Sequence, residues 1–197
     1  PIQALADGTA FRRQASPLDP QDPHYAPERI LVVERDDLVD MLIRNRFHLT
    51  AKAVVVSRTG YPEPVFAACR EFLRNHPNTP VQLVHDASTQ GFALAAQLAD
   101  ESKWRFARER LSDIGISRAA LQHGATLPWL STRRFQRNGA FGGNPAKMLR
   151  AGYRVPLDYI GPKPLIGLLS AAVVGGALLL APEALNAAGA EVESDYG

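Results

Sequence analysis

Short apolar runs alternate with amphipathic stretches along the middle of this chain. Residues 30–34 (ILVVE) are apolar at odd and even positions alike, which is typical of a strand buried on both faces. Apolar residues then recur at helical spacing from Leu38 to Phe47, with Asp36 and Asp37 near the start, where a carboxylate interacts favourably with free backbone amides. The pattern predicts a buried strand followed by a helix.

The same pattern occurs twice more. Residues 53–56 and 81–84 form further apolar runs, and each precedes a helical face, within residues 65–73 and 92–98. Strands in one sheet that are joined by right-handed helical crossovers run parallel. The sequence therefore predicts an α/β domain with a parallel sheet flanked by helices. We further predict a basic helix over residues 104–111 and a short fourth strand at residues 113–116.

The remaining segments have distinct compositions. Residues 1–29 contain five prolines, four of them close together at Pro17, Pro20, Pro23 and Pro27, which favours an irregular lead-in. We place the α/β domain at residues 30–132 and a basic linker at 133–164, with seven basic residues over 133–163 against one acid. An apolar segment at 165–181 and an acidic tail at 182–197 complete the chain.

The apolar segment has two interpretations. Its seventeen uncharged residues are near the shortest helix that crosses a bilayer, and basic residues precede it while acidic ones follow. This charge step favours a membrane span with the basic side in the cytoplasm. The alternative is a buried core helix, whose small residues would allow close packing and whose Gly175–Gly176 pair would weaken it.

Composition narrows the function classes. The 197 residues are 46% hydrophobic and 21% charged, values typical of a globular domain. The net charge of only +2 provides no overall attraction to nucleic acid, so any such attraction must be local. The single cysteine, Cys69, allows no internal disulfide, and we expect a secretory signal to be absent or already removed. We therefore expect a cytoplasmic protein, with a membrane anchor if residues 165–181 span a bilayer.

Candidate chemistry lies where the apolar runs end. The carboxyl ends of parallel strands open on one edge of a sheet, and the residues there are Glu34, Ser57, His85 and Asp86. Two carboxylates that meet at this edge would suit Mg²⁺, and one could act as an acid or base. The alternative is that Glu34 and Asp86 only cap the helices that follow them.

The order of these residues resembles the Toprim domain, and most of all the version in the A subunit of topoisomerase VI and related meiotic break-forming proteins. Three features carry the resemblance over residues 29–118: the strand-terminal Glu34, the turn Gly60-Tyr61-Pro62, and the segment from His85 to Phe92 (HDASTQGF). The family has an Asp-x-Asp-x-x-Gly segment at the last position. In this chain its second aspartate is replaced by Ser88.

The resemblance implies a Mg²⁺-assisted reaction on the DNA backbone, with Glu34 as the catalytic acid/base and a metal ligand, and Asp86 as the first metal-binding aspartate. Ser88 removes one negative charge, so the divalent ion should bind weakly or not at all. The candidate substrate-binding residues around this site are Arg58, Gly60, Tyr61, His85 and Ser88. For the Gly-Tyr-Pro turn we favour a structural role, since Gly60 can adopt a positive φ and Pro62 can start a helix.

Other chemistry has less support in the sequence. The five histidines lack the spacing of a zinc site, and the glycine-rich residues 139–145 lack the ending of a phosphate-binding loop. Two basic groups with interleaved aromatic residues could contact phosphates and stack on bases. They are Arg105, Arg108 and Arg110 with Trp104 and Phe106, and Arg133, Arg134 and Arg137 with Phe135. A solvated helix face is the alternative for the first, and an anionic membrane surface for the second.

Three hypotheses follow. The first is a Toprim-like domain with an eroded metal site, which acts in recognition or regulation of nucleic acid or as a partner subunit. A protein partner would then supply the missing domains, because the family's nucleophilic tyrosine belongs to a separate winged-helix domain. The second is an active Mg²⁺-dependent nuclease or topoisomerase-like enzyme that tolerates Ser88. The third is a site for a small anionic ligand at the carboxyl edge of the sheet.

Overall fold

The computed structural model describes residues 27–104, 106, 108–123, 130–131 and 144–176. Four strands form a parallel sheet: β1 (Arg29–Val33), β2 (Ala53–Ser57), β3 (Val81–Val84) and β4 (Leu111–Asp113). Their order across the sheet is β2-β1-β3-β4. The helices that connect them are α1 (Asp36–Arg44), α2 (Phe47–Thr50), α3 (Glu63–Asn75) and α4 (Thr89–Asp100). The predicted α/β fold with a parallel sheet flanked by helices is confirmed.

Both faces of the sheet are buried, which explains the continuous apolar runs. On one face, alternate strand residues such as Leu31 and Val55 pack against α1, α2 and the later helices. On the other face, Ile30 and Val54 pack with α3 and α4. A strand covered on both sides needs apolar residues at every position, because neither face contacts water.

The elements after β4 differ from the sequence-based expectation. The fourth strand begins two residues earlier than predicted, at Leu111, and a short 3₁₀ turn, Arg108–Arg110, stands where a basic helix was expected. The helix prediction is wrong for the described part of residues 104–111. Trp104 is 1% exposed and packs edge-on against Phe66 at 4.9 Å, so it belongs to the core.

The segment predicted as a basic linker contributes structure over its described part. Residues 144–164 contain α6 (Pro145–Arg150), β6 (Tyr153–Arg154) and a 3₁₀ turn, Leu157–Ile160. A short helix α5 (Arg118–His123) precedes them, and β5 (Leu130–Ser131) pairs antiparallel with β6. Apolar side chains of this segment lie in the same core cluster as β1 and β2: Leu149, Val155, Leu157 and Ile160. The domain boundaries themselves stay a prediction.

The apolar segment begins as a helix that packs on this core. Helix α7 (Pro162–Gly175) buries four residues: Leu165, Leu169, Ala172 and Val173. At its end, the Val173 carbonyl accepts hydrogen bonds from Arg29 Nη1 at 2.7 Å and Gln82 Nε2 at 2.9 Å. Gly176 ends the helix with φ +81°. The core-helix interpretation therefore describes residues 162–175, while residues 177–197 lie outside the described part.

Within the described residues, none of the helices combines the length and the apolar character that a membrane crossing requires.

Candidate functional site

The site lies where the strand order reverses. After β1 the chain crosses to β2 on one side, and after β2 it returns to place β3 on the other side of β1. The carboxyl ends of the strands beside such a reversal border a crevice in which ligands of α/β proteins commonly bind. Glu34 directly follows β1, and His85 and Asp86 directly follow β3. The two candidate acids come together here: the Asp86 amide donates to Glu34 Oε2 at 2.9 Å.

The Asp86 carboxylate is closed off from solvent and fully partnered. Its side chain is 0% exposed. Oδ1 accepts from the Leu157 amide at 2.9 Å, and Oδ2 accepts from Arg154 Nη1 at 2.9 Å. Arg35 Nη1 lies 3.6 Å from the same Oδ2. Burial raises the pKa of the Asp86 carboxyl, and the Leu157 amide and the two guanidinium groups counteract this by favouring the charged form.

A short segment crosses this edge of the sheet and supplies two of those partners. We call residues 153–157 the strap. Val155 pairs antiparallel with Ala87, and each amide donates to the other's carbonyl at 2.9 Å. This pairing fixes the strap beside Asp86, with Arg154 on one side of Val155 and Leu157 on the other. The strap therefore packs against the carboxyl edge of the sheet and brings a cation to the buried acid.

The oxygen atoms at this edge of the sheet are largely occupied by hydrogen bonds within the fold. Magnesium is usually bound by one or two carboxylates and keeps several water ligands, so a site for it needs free carboxylate oxygens with open space beside them. Both Asp86 oxygens are engaged, one Glu34 oxygen accepts from the Asp86 amide, and the Ser88 hydroxyl is used by a backbone amide. No group of three or more His, Cys, Asp or Glu side chains with metal-binding geometry occurs in the described part of the chain. These residues, as arranged, do not fit Mg²⁺.

Ser88 begins helix α4. Its hydroxyl accepts from the Gly91 amide at 2.8 Å, which satisfies one of the free donors at the helix start. Serine and aspartate cap helices about equally well, but serine brings no charge. Gly91 is needed in the first turn of α4, because a Cβ there would clash with the Asp86 carbonyl oxygen. The Asp86-to-Gly91 spacing thus has a packing explanation.

His85 is buried between two acceptors. Its Nδ1 lies 2.6 Å from the Asp86 carbonyl oxygen and its Nε2 lies 2.9 Å from Asp113 Oδ2. Because a carbonyl and a carboxylate both accept, the imidazolium form, in which both ring nitrogens donate, satisfies both contacts. Burial opposes this charge, but the Asp113 hydrogen bond and charge, the Asp86 carbonyl and the Glu34 charge outweigh it, so the pKa of His85 is raised. The arrangement gives His85 a structural role at the edge.

The Gly-Tyr-Pro turn is tied into the fold at several points. Gly60 has φ +92°, and a Cβ there would lie 3.0 Å from the Phe66 ring. The Tyr61 hydroxyl donates to Asp40 Oδ1 at 2.6 Å, and its carbonyl accepts from the Ser57 amide at 2.7 Å. The expected positive φ at Gly60 is present, and these contacts agree with a structural role for the turn.

A cavity of about 440 Å³ opens at the same edge. Its lining combines the carboxylate of Glu34 and the guanidinium of Arg154 with the first residues of α4 (Ser88, Thr89 and Gln90) and with Leu149, Gly152 and Tyr153. Arg58 and Lys103 stand at the end of β2, where Lys103 Nζ donates to the Arg58 carbonyl at 3.2 Å. Positively and negatively charged side chains therefore lie along the carboxyl edge of the sheet.

The basic groups predicted from the sequence are distributed differently. Arg108 and Arg110 precede β4, at the amino edge of the sheet, where Arg110 donates to Asn78 Oδ1 at 2.9 Å. They therefore lie away from Glu34. Trp104 is buried and does not present its ring for stacking. Several residues of these predictions lie outside the described part of the chain: Arg105, Arg133, Arg134, Phe135, Arg137 and most of the glycine-rich residues 139–145.

The partners of the two acids are not evident from the sequence. Arg35 immediately follows Glu34, yet nothing in the pattern indicates that it faces Asp86. Arg154 is 68 positions from Asp86, within the segment that the sequence predicts to be a basic linker. A basic residue shows its partner only when the chain has folded.

Comparison with protein-family models, with curated proteins and with solved structures finds no significant match to this chain.

Proposed function

We propose that this chain carries a Toprim-like domain whose carboxyl-edge acids serve the structure, and that it acts as a nucleic-acid recognition module or partner subunit without metal-dependent cleavage. The observation that carries the proposal is the enclosure of Asp86. A carboxylate with 0% exposure and a partner on each oxygen is stabilised as a structural ion pair. Ser88 supports it, since its hydroxyl caps α4.

Contact with nucleic acid is supported by the cations beside this edge. Arg58 directly follows β2, and the Lys103 ammonium reaches its carbonyl. Lys103 is 42% exposed and pairs with Glu101 at 2.9 Å, so its ammonium is at the surface. Cationic side chains of this kind bind phosphates without reading the sequence. A partner subunit that supplies further domains, and a cytoplasmic location, remain predictions.

One observation favours a second function, the active Mg²⁺-dependent nuclease. Glu34 lines the 440 Å³ cavity beside Asp86, so a carboxylate is available to a bound substrate. This alternative requires Arg154 to move away from Asp86 when substrate and metal bind. It predicts cleavage that is lost when Glu34 is changed to Gln.

The test is a paired binding and cleavage measurement on the full chain. Fluorescence anisotropy with labelled DNA and RNA oligonucleotides should show salt-dependent binding that weakens about tenfold in the Arg58→Ala/Lys103→Ala double variant. Arg108→Ala is the matched control, because this arginine lies at the opposite edge of the sheet. Incubation with Mg²⁺ or Mn²⁺ should leave the same oligonucleotides intact. Cleavage that depends on Glu34 would establish the nuclease, and absence of binding to every oligonucleotide would refute recognition.

A further inference from the structure

The buried Asp86 carboxylate has the Arg154 guanidinium as its nearest cation. Arg154 Nη1 lies 2.9 Å from Asp86 Oδ2, and the Asp86 side chain is 0% exposed while that of Arg154 is 32% exposed. Within the described residues, Asp86 is the single carboxylate paired with Arg154. Arg35, by contrast, also pairs with Asp158 at 2.9 Å and with Asp37 at 3.1 Å. Arg154 is therefore the guanidinium dedicated to Asp86.

The strap holds this guanidinium in place through its backbone. Two hydrogen bonds link Val155 to Ala87, and the Leu157 amide occupies the other Asp86 oxygen. A divalent ion beside Asp86 would have to displace Arg154, because the two positive charges would repel each other at contact distance. Displacement of Arg154 would also disturb the backbone pairing between Val155 and Ala87, because Val155 is the next residue along the strap.

We propose that Arg154 is a built-in replacement for a divalent cation at the Glu34–Asp86 edge. The guanidinium neutralises the buried carboxylate and excludes divalent ions while the strap is paired with Ala87. Loss of the Arg154 charge leaves Asp86 with Arg35, which it shares with Asp37 and Asp158, as its cationic partner among the described residues, beside a cavity that Glu34 also lines. A divalent ion can then enter from the cavity and take up the charge that Arg154 carried. The inference rests on the proposed function in taking this edge as non-catalytic.

The test is direct metal binding, with Mn²⁺ as the probe and the EPR signal of free Mn²⁺ as the readout. Wild-type protein should leave this signal unchanged. Arg154→Gln keeps a hydrogen-bond donor for Asp86 but removes the charge, and it should bind one Mn²⁺ per chain at least tenfold more tightly than wild type. We expect a dissociation constant of about 10⁻⁴ to 10⁻³ M, in the range of weak protein sites for divalent ions. Arg154→Ala should show the same gain.

Two controls make the result specific. Arg150→Ala removes an exposed cation four residues away and should behave as wild type. Adding Asp86→Asn to Arg154→Gln should abolish the gain, because the proposed ligand is then absent. Binding of one Mn²⁺ per chain by wild type with a dissociation constant of about 10⁻³ M or lower would overturn the inference, and this measurement needs no variant to fold. So would a folded Arg154→Gln protein, verified by circular dichroism, that binds no ion. Neither outcome depends on cleavage, so the inference and the proposed function are tested separately.

Discussion

Replacing Asp86 with Asn changes one atom and removes the charge that Arg154 and Arg35 face. The Asn carbonyl can still accept from the Leu157 amide, but its amino group would point donors at two guanidinium groups. A hydrogen bond to a charged group contributes about 1.5–3 kcal/mol, and breaking a fully buried ion pair costs about 3–5 kcal/mol. Because Arg154 and Arg35 are 32% and 20% exposed, water recovers part of this loss. We expect the free energy of unfolding to fall by about 2–3 kcal/mol.

Urea denaturation followed by circular dichroism measures this change. With a urea dependence of about 2 kcal/mol/M, the unfolding midpoint should drop by about 1–1.5 M. Asp158→Asn is the matched control, because Asp158 pairs with the same Arg35 at 2.9 Å but its side chain is 38% exposed. An exposed ion pair contributes less than about 1 kcal/mol, so the midpoint of the control should move little.

The opposite result would refute the structural role of Asp86. If the main role of Asp86 were to bind a metal ion, its charge would repel that of Glu34 in the metal-free protein and lower the free energy of unfolding. The Asp86→Asn protein would then be as stable as wild type or more stable. Addition of Mg²⁺ would also raise the unfolding midpoint of wild type and leave that of the variant unchanged.

Three further predictions concern the surroundings of the site. Gly91→Ala should lower the free energy of unfolding by about 2–3 kcal/mol, because its Cβ would clash with the Asp86 carbonyl oxygen. Gly167→Ala should raise it by about 0.5–1 kcal/mol, since nothing lies within 4 Å of the added Cβ and alanine favours helix. Equal changes for the two variants in urea denaturation would contradict this prediction. His85 has a raised pKa in the folded state, so its stabilisation is fully present below its unfolded pKa of about 6.5 and is lost as the pH rises through the folded pKa. NMR titration should show the His85 pKa falling in Asp113→Asn, and an unchanged value would refute the contact. Leu169→Ala should cost about 2–4 kcal/mol in urea denaturation, because this residue of α7 is 1% exposed, and a change below about 0.5 kcal/mol would contradict the docking of α7 on the core.

Local sequence determined the sheet and its acidic edge. Runs such as residues 30–33 and 53–56 are apolar at every position, which indicates strands buried on both faces. Helix-length stretches separate these runs, and right-handed crossovers of that length join parallel strands. From these two facts the positions of Glu34 and Asp86 at the carboxyl ends of β1 and β3 could be predicted. The structural role of Gly60 could also be predicted, since a Gly before Tyr-Pro indicates a turn that needs a positive φ.

The pattern was misleading where local signals were weak. Residues 104–111 have helical spacing, but the described part forms a turn and a 3₁₀ segment, because Trp104 fills a pocket against Phe66 in the core. The apolar segment was equally ambiguous. Composition alone does not distinguish a helix that packs on a sheet from one that packs in lipid, since both environments select the same side chains.

The contacts of the acids at this edge depend on the folded arrangement of the whole domain. That Glu34 and Asp86 emerge at one rim could be predicted from the chain alone, because buried apolar runs separated by helix-length stretches indicate a parallel sheet. The sequence could not determine that Arg154, 68 positions from Asp86, would neutralise that carboxylate, or that the strap would pair with Ala87. Such contacts join residues that are distant along the chain, and their energies depend on the burial and geometry that folding creates.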